Sequence, residues 1–274
     1  MIPPFSVIVP VRNEALMLSK TAPSLREATK GLPAEIIYVL NATDDESATI
    51  IAGCFGDQAC ILETPKPGKA RALRIGDRAA SRSLRIYLDA DVLVQSDTIK
   101  VVLATLCSGE ADLVAPRVKV NLQGLGGFSL RVTRVWADQI SRRQDAFMGC
   151  IGMSAAGLDA RGEWPDVLAD DDWARSRIPP SRRRILETTC IEISLPRDVL
   201  SWIKVRARWI RGTRQLRQMN VETAPVRQLR PRGSLPDLAI YYLIRLLAEP
   251  FASVQGWMGA DWGIDKSTRT PADD

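Results

Sequence analysis

The chain has 274 residues, with 37 Lys and Arg against 32 Asp and Glu, so its formal net charge is +5. An apolar fraction of 46% and a charged fraction of 25% are typical of a globular protein and argue against disorder, collagen-like repeats and a coiled-coil rod. The sequence contains no histidine, which excludes Ser-His-Asp triads, histidine proton shuttles and histidine metal ligands. Acid–base or metal chemistry must therefore rest on carboxylates, lysine, tyrosine or cysteine.

Cysteine usage and the absence of long apolar segments indicate the cellular compartment in which the protein works. The five cysteines form no Cys-x-x-Cys pair, so a disulfide framework or a structural zinc site is not indicated and a reducing compartment fits best. The first four residues carry no signal-peptide pattern. No stretch approaches the roughly 20 uncharged residues of a membrane span, and Arg245 interrupts the closest candidate, 238–248. We expect a cytoplasmic protein.

Residues 1–120 alternate between short apolar runs and longer segments of helical period. The pattern predicts strands over 5–9, 35–40, 59–63, 84–88 and 112–118, with helices over 15–29, 47–55, 69–81 and 98–106. Repeated strand–helix units of this length predict an α/β fold, a Rossmann-like and mostly parallel sheet with helices on both faces. Ligands bind at the carboxyl ends of such strands, so the residues that follow each strand are candidate site residues.

The amino-acid composition of the chain changes after residue 120. Residues 121–169 are rich in glycine and predict turns or an irregular connector. Residues 175–232 hold fourteen arginines and one lysine against four acidic residues, a strong local excess of positive charge. Residues 235–258 predict an amphipathic helix, and the polar tail from Asp265 is expected to fray.

The sharpest local feature is a pair of carboxylates, Asp89 and Asp91, directly after the strand predicted at 84–88. Hard divalent cations take oxygen ligands, so this pair can hold Mg²⁺ or Mn²⁺ against two phosphate oxygens. An isolated Asp-x-Asp is more often a turn or a cap, but here a strand precedes it.

Other strand ends add polar residues at the same predicted edge. Pro10 is expected to end the first strand and Asn13 to cap the helix that follows. Gly68 and Lys69 open the third predicted helix, where backbone N–H groups and the helix dipole suit an anion. No Gly-x-x-x-x-Gly-Lys-Ser/Thr sequence occurs, so this is not a P-loop.

A second acidic cluster includes Asp170 and Asp171. Like-charge repulsion raises the pKa of one carboxyl in such a cluster, which suits a general base, although a charged helix start would look the same. Arg208 and Trp209 follow in the basic segment, where they could clamp a phosphate or simply form a solvated helix face.

Together these elements resemble family 2 glycosyltransferases of the GT-A fold over roughly residues 5–217. The matching pieces occur in the family's order: 6–14, 41–47, 68–76, 88–91, Asp170-Asp171 with Arg175, and Arg208-Trp209.

The resemblance implies an inverting, metal-dependent transferase that moves a sugar from a nucleotide-diphospho-sugar to an acceptor hydroxyl. It implies that Asp91 ligates Mg²⁺ or Mn²⁺, that Asp89 contacts the ribose or the metal shell, and that Asp171, or its neighbour Asp170, is the base. The implied donor-binding residues are Pro10, Val11, Arg12, Glu14, Asn41, Lys69, Asp89, Ala90 and Asp91, and Arg175, Arg208 and Trp209 would contact the acceptor or diphosphate.

Four residues depart from the family pattern. Leu40 and Asn41 stand where a pair of aspartates usually reads the uracil and ribose, so UDP is favoured less firmly. Val205 replaces the glutamine of the motif that marks processive synthases, and with no membrane spans this favours transfer of one sugar. Arg74 stands in place of a common asparagine.

The basic segment and the apolar stretch 238–248 together suggest a surface that meets anionic lipid on the inner face of the cell membrane. A saccharide or lipid-linked acceptor in cell-surface polysaccharide or glycolipid synthesis would follow. A solvated basic face beside a core helix is the alternative.

We expect a transferase domain over 1–217, with a donor half to about 120 and an acceptor half after it, and a helical extension over 218–274.

Other functions fit less well. A sugar-1-phosphate nucleotidylyltransferase would need a glycine-rich opening loop, and a Rossmann dehydrogenase would need Gly-x-Gly-x-x-Gly after the first strand. A nucleic-acid or anionic-surface binding protein fits the basic pI of about 9.1, but the basic segment lacks interleaved aromatic residues, so we expect no nucleic-acid partner. A catalytically inactive sugar-nucleotide binder would not need its aspartates.

Overall fold

The computed structural model describes residues 2–143, 145–221 and 229–257. Eight strands form one sheet in the order β3-β2-β1-β4-β7-β6-β8-β5. Their bounds are β1 Phe5–Val11, β2 Ala34–Asn41, β3 Ala59–Thr64, β4 Leu84–Leu88, β5 Leu93–Val94, β6 Leu113–Asn121, β7 Cys150–Met153 and β8 Arg183–Ser194. Strands β1 to β4 are mutually parallel, as are β6 and β8, whereas β7 and β5 run antiparallel to their neighbours.

Helices cover both faces of this sheet. Their bounds are α1 Ala15–Thr29, α2 Ser47–Phe55, α3 Lys69–Ala79, α4 Thr98–Cys107, α5 Gly127–Ser141, α6 Ala155–Arg161, α7 Asp170–Arg177, α8 Val199–Gln218 and α9 Leu235–Trp257. Helices α1, α2 and α4 share one core with the sheet, and α3 and α7 share a second core on the opposite face. The predicted α/β architecture, a mostly parallel sheet covered on both sides, is confirmed.

The first strand differs from prediction at its end. Pro10 does not stop β1: it lies within the strand, opposite Val39, and the strand continues to Val11. Asn13 does not cap α1 either, since its backbone has a φ of +52° and its Oδ1 accepts a hydrogen bond from the Asp44 N–H. Asn13 thus supports the neighbouring loop, because asparagine tolerates the left-handed conformation that this turn needs.

The middle of the chain is more regular than its glycines predict. Residues 121–169, expected to be an irregular connector, contain the 15-residue helix α5, strand β7 and helix α6. Gly124 has a φ of +72° in the turn that precedes α5, so the glycines mark the entry to the helix. Strand β8 was not predicted, because its sequence is half-exposed and rich in polar residues.

The last described helix packs against α5 and α8. Helix α9 confirms the helix predicted at 235–258 up to Trp257, and its inward residues Tyr241 and Ile244 share a core with Val132, Val135 and Trp202. The division at 217 stays a prediction, and the expected frayed tail lies outside the described residues. None of the described helices is both long and apolar enough to cross a bilayer.

Close packing of α3 on β1 generates the first prediction. A Cβ on Gly76 would lie 2.4 Å from Cγ2 of Ile8, whereas a Cβ on Gly53 in α2 would meet nothing within 4 Å. We expect Gly76→Ala to destabilise the fold by about 1–3 kcal/mol, because overpacking outweighs the gain in helix propensity. Gly53→Ala, the matched control, should be neutral or stabilising. Urea unfolding of both variants checks this, and equal effects would contradict it.

Candidate active site

A cavity of about 1800 Å³ opens at the carboxyl ends of the parallel strands. Twelve of the fourteen predicted site residues line it: Pro10, Arg12, Glu14, Lys69, Asp89, Ala90, Asp91, Asp170, Asp171, Arg175, Arg208 and Trp209. Small-molecule sites usually occupy roughly 300–1,000 Å³, so this cavity has room for two substrates at once.

Two predicted site residues do not line the cavity. Val11 is fully buried at the end of β1. Asn41 is fully buried at the end of β2, and neither atom of its amide has a hydrogen-bond partner among the described residues. A side chain behind the cavity wall is badly placed to read a base directly, so the structure gives Asn41 no contact with a bound nucleotide in this conformation.

The loops after β1 and β2 are joined to each other at the cavity mouth. The backbone N–H of Glu14 donates to Ser47 Oγ at 3.1 Å, and the backbone N–H of Ala15 donates to Asp45 Oδ2 at 2.9 Å. Thr43 Oγ1 donates to the carbonyl of Val11. Asp45 thus satisfies an orphan N–H at the start of α1, and the loop after β2 supports the loop after β1, whose residues Arg12 and Glu14 line the cavity.

Lys69 connects the two acidic clusters. Its Nζ lies 2.7 Å from Asp89 Oδ1 and 2.8 Å from Asp170 Oδ2. Helix α3 begins at Lys69 because Gly68 adopts a φ of +145°, which other residues rarely take, and this turn directs the side chain into the cavity. The ammonium therefore bridges the end of β4 and the start of α7.

Burial and mutual charge set the proton affinities in this cluster. Burial alone would lower the pKa of Lys69, but Asp170, Asp89 and Asp171 outweigh it and hold that pKa well above its usual range. Burial, reinforced by the negative charge of Asp170, raises the pKa of Asp171 well above that of an ordinary aspartate. Lys69 is therefore held in its charged form, and Asp171 binds a proton more tightly than an ordinary aspartate, as a general base requires.

Three hydrogen bonds from α3 and α8 hold the segment that leads into α7. Arg74 Nη1 donates to the carbonyl of Trp164 at 2.6 Å, and its Nη2 pairs with Asp166 at 2.7 Å. The N–H of Leu168 donates to Gln215 Oε1 on α8. These contacts fix the direction in which α7, with both aspartates in its first turn, enters the cavity.

The acids at the end of β4 suit a divalent metal. Carboxylate oxygens are the ligands that Mg²⁺ and Mn²⁺ prefer, and Mg²⁺ is commonly held by one or two carboxylates together with substrate phosphates. Among the described residues, no group of three or more side chains could hold a metal without such help. Asp89 and Asp91 therefore fit an ion shared with a bound diphosphate rather than a closed protein site.

The opposite side of the cavity is aromatic and basic. The Trp136 ring of α5 stacks on Trp209 of α8 with 4.3 Å between centroids. Arg175 is buried, and its Nη2 and Nη1 lie 2.9 Å from Asp172 and 3.8 Å from Asp145. Its charge is therefore balanced within the protein, and its contact with the acceptor or diphosphate stays a prediction.

Arg206, noted in the sequence only as part of the basic stretch with Arg208 and Trp209, also lines the cavity, and several other lining residues were missed: Trp136, Gln139, Tyr241, Tyr242 and Arg245. They come from α5, α8 and α9, which meet only in the folded chain. The helical period of α5 could have indicated a buried face at Trp136, but its glycine-rich start favoured a connector.

The ammonium of Lys69 generates the second prediction. Lys69→Met should destabilise the protein by about 3 kcal/mol at pH 7, because it leaves buried carboxylates uncompensated. Lys66→Met, three residues earlier and exposed, should have little effect. Thermal and urea unfolding measure both. Equal stability of the two variants would show that the carboxylates do not depend on Lys69.

Among the solved structures that resemble this chain is the mannosyltransferase PcManGT of Pyrobaculum calidifontis, in complex with GDP-Man and Mn²⁺, with a TM-score of 0.61 and 18% identity over 96% of this chain and 78% of that one. Another is S. aureus TarS 1-349, with a TM-score of 0.55 and 16% identity over 93% of this chain and 74% of that one. A third is M. tuberculosis glucosyl-3-phosphoglycerate synthase, with a TM-score of 0.50 and 16% identity over 77% of this chain and 81% of that one. At these identities the likeness shows the GT-A fold alone.

The sequence itself gives the family. A search of curated proteins found no match. The family model described as Glycosyl transferase family 2 matches residues 6–157, more than half of the chain. The chain therefore belongs to glycosyl transferase family 2.

Proposed function

We propose that the protein transfers a single sugar from a nucleotide-diphospho-sugar to an acceptor hydroxyl, with inversion at the anomeric carbon. The observation that carries this proposal is the Lys69 bridge, which holds an acid of the Asp-x-Asp strand end and an acid of α7 on opposite sides of one ammonium. Membership of glycosyl transferase family 2 supports it, as do neighbours solved with GDP-Man and with UDP-GlcNAc.

In this proposal the acids divide the chemistry between them. Asp91, with Asp89 beside it, would hold Mg²⁺ or Mn²⁺, and the metal when bound supplies positive charge to the diphosphate. Asp171 accepts the proton of the acceptor hydroxyl, supported by its raised pKa. Asp170 is a positioning residue, because its carboxylate is buried and engaged by Lys69. Most of the rate acceleration comes from orientation and charge stabilisation.

The nucleotide is open to a direct test. UDP is the sequence-based choice, but the buried Asn41 gives it no specific support, so GDP and dTDP belong in the same titration. We expect one nucleotide to bind tightly and only with Mn²⁺. No binding of any of the three by the folded protein would overturn the sugar-nucleotide proposal.

Two variants separate the proposed roles. Asp91→Asn should abolish the Mn²⁺-dependent gain in nucleotide affinity, because it removes a negative metal ligand. Asp171→Asn should bind nucleotide normally but lower the rate of nucleotide release from the sugar donor about a hundredfold or more, the usual worth of a general base. Asp159→Asn, at an exposed position of α6, is the matched control. Calorimetry measures nucleotide binding by the three variants, and a nucleotide-release assay measures their turnover. Normal turnover by Asp171→Asn would exclude it as the base.

We further propose that the protein works at an anionic membrane surface. The outward face of α9 exposes Leu243, Leu246 and Leu247 by 51%, 70% and 43%. Such a helix lies in the membrane interface when basic residues surround its apolar face, and α8, which packs against α9, carries five arginines. An anionic lipid surface is therefore the partner that matches both the positive charge of these arginines and the exposed leucines of α9.

Vesicle flotation tests this surface. The protein should float with vesicles that contain 30% phosphatidylglycerol and less with pure phosphatidylcholine. The triple variant L243Q/L246Q/L247Q should lose this binding, since each buried leucine contributes about 1.5 kcal/mol or more. Leu122→Gln, an exposed leucine outside α9, is the control. Equal recovery of the triple variant and the wild type would contradict the proposal.

A further inference from the structure

Two arginines line the acceptor side of the cavity without a carboxylate partner. Arg206 on α8 and Arg245 on α9 are both part-buried, and neither forms an ion pair with any described residue. Nε of Arg206 is buried and has no hydrogen-bond partner. Nη1 of Arg245 reaches only the hydroxyl of Tyr241, at 3.4 Å. Their hydrogen-bonding capacity is therefore largely unused.

Packing holds these arginines beside aromatic rings. The guanidinium of Arg206 lies 5.8 Å from the centre of the Trp209 ring, and that of Arg245 lies 5.8 Å from the Tyr241 ring. Tyr241 is itself fixed, because its hydroxyl donates to Gln139 Oε1 of α5 at 2.9 Å. Cation–π contact orients a guanidinium but does not neutralise it.

This arrangement is electrostatically unfavourable without a bound anion. Burial lowers the pKa of Arg206, and the like charge of Arg245 acts in the same direction. Glu249 favours the charged form of Arg206, but it is already paired with Arg214 at 2.6 Å. An anion between the two guanidinium groups would relieve this repulsion and satisfy their N–H donors.

The cavity also leads to an apolar surface at this point. Tyr242 lines the cavity beside Arg245, yet it is 51% exposed and belongs to the same outward side of α9 as Leu246. A ligand with an anionic head and an apolar chain can place the head between the arginines and pass the chain out along α9. A small soluble anion would leave the apolar face unused.

We propose that Arg206 and Arg245 bind the phosphate of a lipid-linked acceptor whose apolar chain leaves the cavity past Tyr242. This inference rests on the proposed function, because it names the class of acceptor for that transfer. Guanidinium groups recognise phosphate through paired N–H donors and suit a part-buried phosphate site better than lysine. The attacking hydroxyl then lies deeper in the cavity, towards Asp171.

Calorimetry on the full chain tests the site with farnesyl monophosphate below its critical micelle concentration. Farnesol and inorganic phosphate are titrated in parallel. We expect farnesyl monophosphate to bind about tenfold or more tightly than either one, because only it uses both the arginines and the apolar face. The double variant R206Q/R245Q should lose about tenfold or more in this affinity. R184Q, which changes an exposed arginine of β8 outside the cavity, should keep it.

Each contrary result has a distinct meaning. Equal affinity for farnesol would overturn a phosphate site, and equal affinity for inorganic phosphate would overturn the lipid as its source. An unchanged affinity in R206Q/R245Q would overturn the role of the arginines. If the double variant does not fold, R245Q alone decides: a loss of about threefold or more supports the site, and no change overturns it.

Nucleotide titration of the same variants separates this inference from the proposed function. UDP and GDP with Mn²⁺ should bind R206Q/R245Q as they bind the wild type. A parallel loss of nucleotide affinity would assign the arginines to the donor diphosphate and overturn the acceptor site. Binding of farnesyl monophosphate without binding of any nucleotide would overturn the proposed function while the phosphate site stands.

Discussion

The candidate site depends on one ammonium group. Lys69 stands between Asp89 and Asp170, which come from different strand–helix units, and without it their negative charges would repel across a part-buried space. Its position requires the unusual backbone of Gly68 and the start of α3 beneath the strand ends. The charge of one side chain thereby allows two acidic groups of different proposed roles to share one cavity.

The same constraint explains why the entry to α7 is so firmly held. Asp170 can meet Lys69 only if the preceding segment is correctly placed, and Arg74 and Gln215 hold it from α3 and α8. Gly212 completes this support, since a Cβ there would lie 2.9 Å from that of Ala169. Arg74, a departure from the family pattern, therefore anchors the segment that leads into α7.

Sequence patterns predicted the parallel half of the molecule better than the rest. Strands such as β4, Leu84–Leu88, are largely apolar because helices cover both faces, and the strand-end rule then located Asp89 and Asp91. Strand β8 pairs in parallel with β6 across more than 60 residues and is half-exposed, so no local period marks it. The contacts of Lys69 and of Arg245 likewise depend on tertiary packing, which composition and spacing do not encode.

The arginines of the basic segment have two different surroundings in the structure. The run of positive charge predicts a solvated face. Some of these arginines form ion pairs at the surface, Arg182 with Asp112 and Arg214 with Glu249. Arg206 lies in the same segment but faces the cavity, where burial makes an uncompensated charge costly. In this fold the acids lie at the strand ends, whereas Arg206 and Arg245 lie on α8 and α9. The two ends of the cavity therefore differ in charge, which supports the proposed metal-bound diphosphate at the acidic end and the proposed anionic acceptor at the basic end.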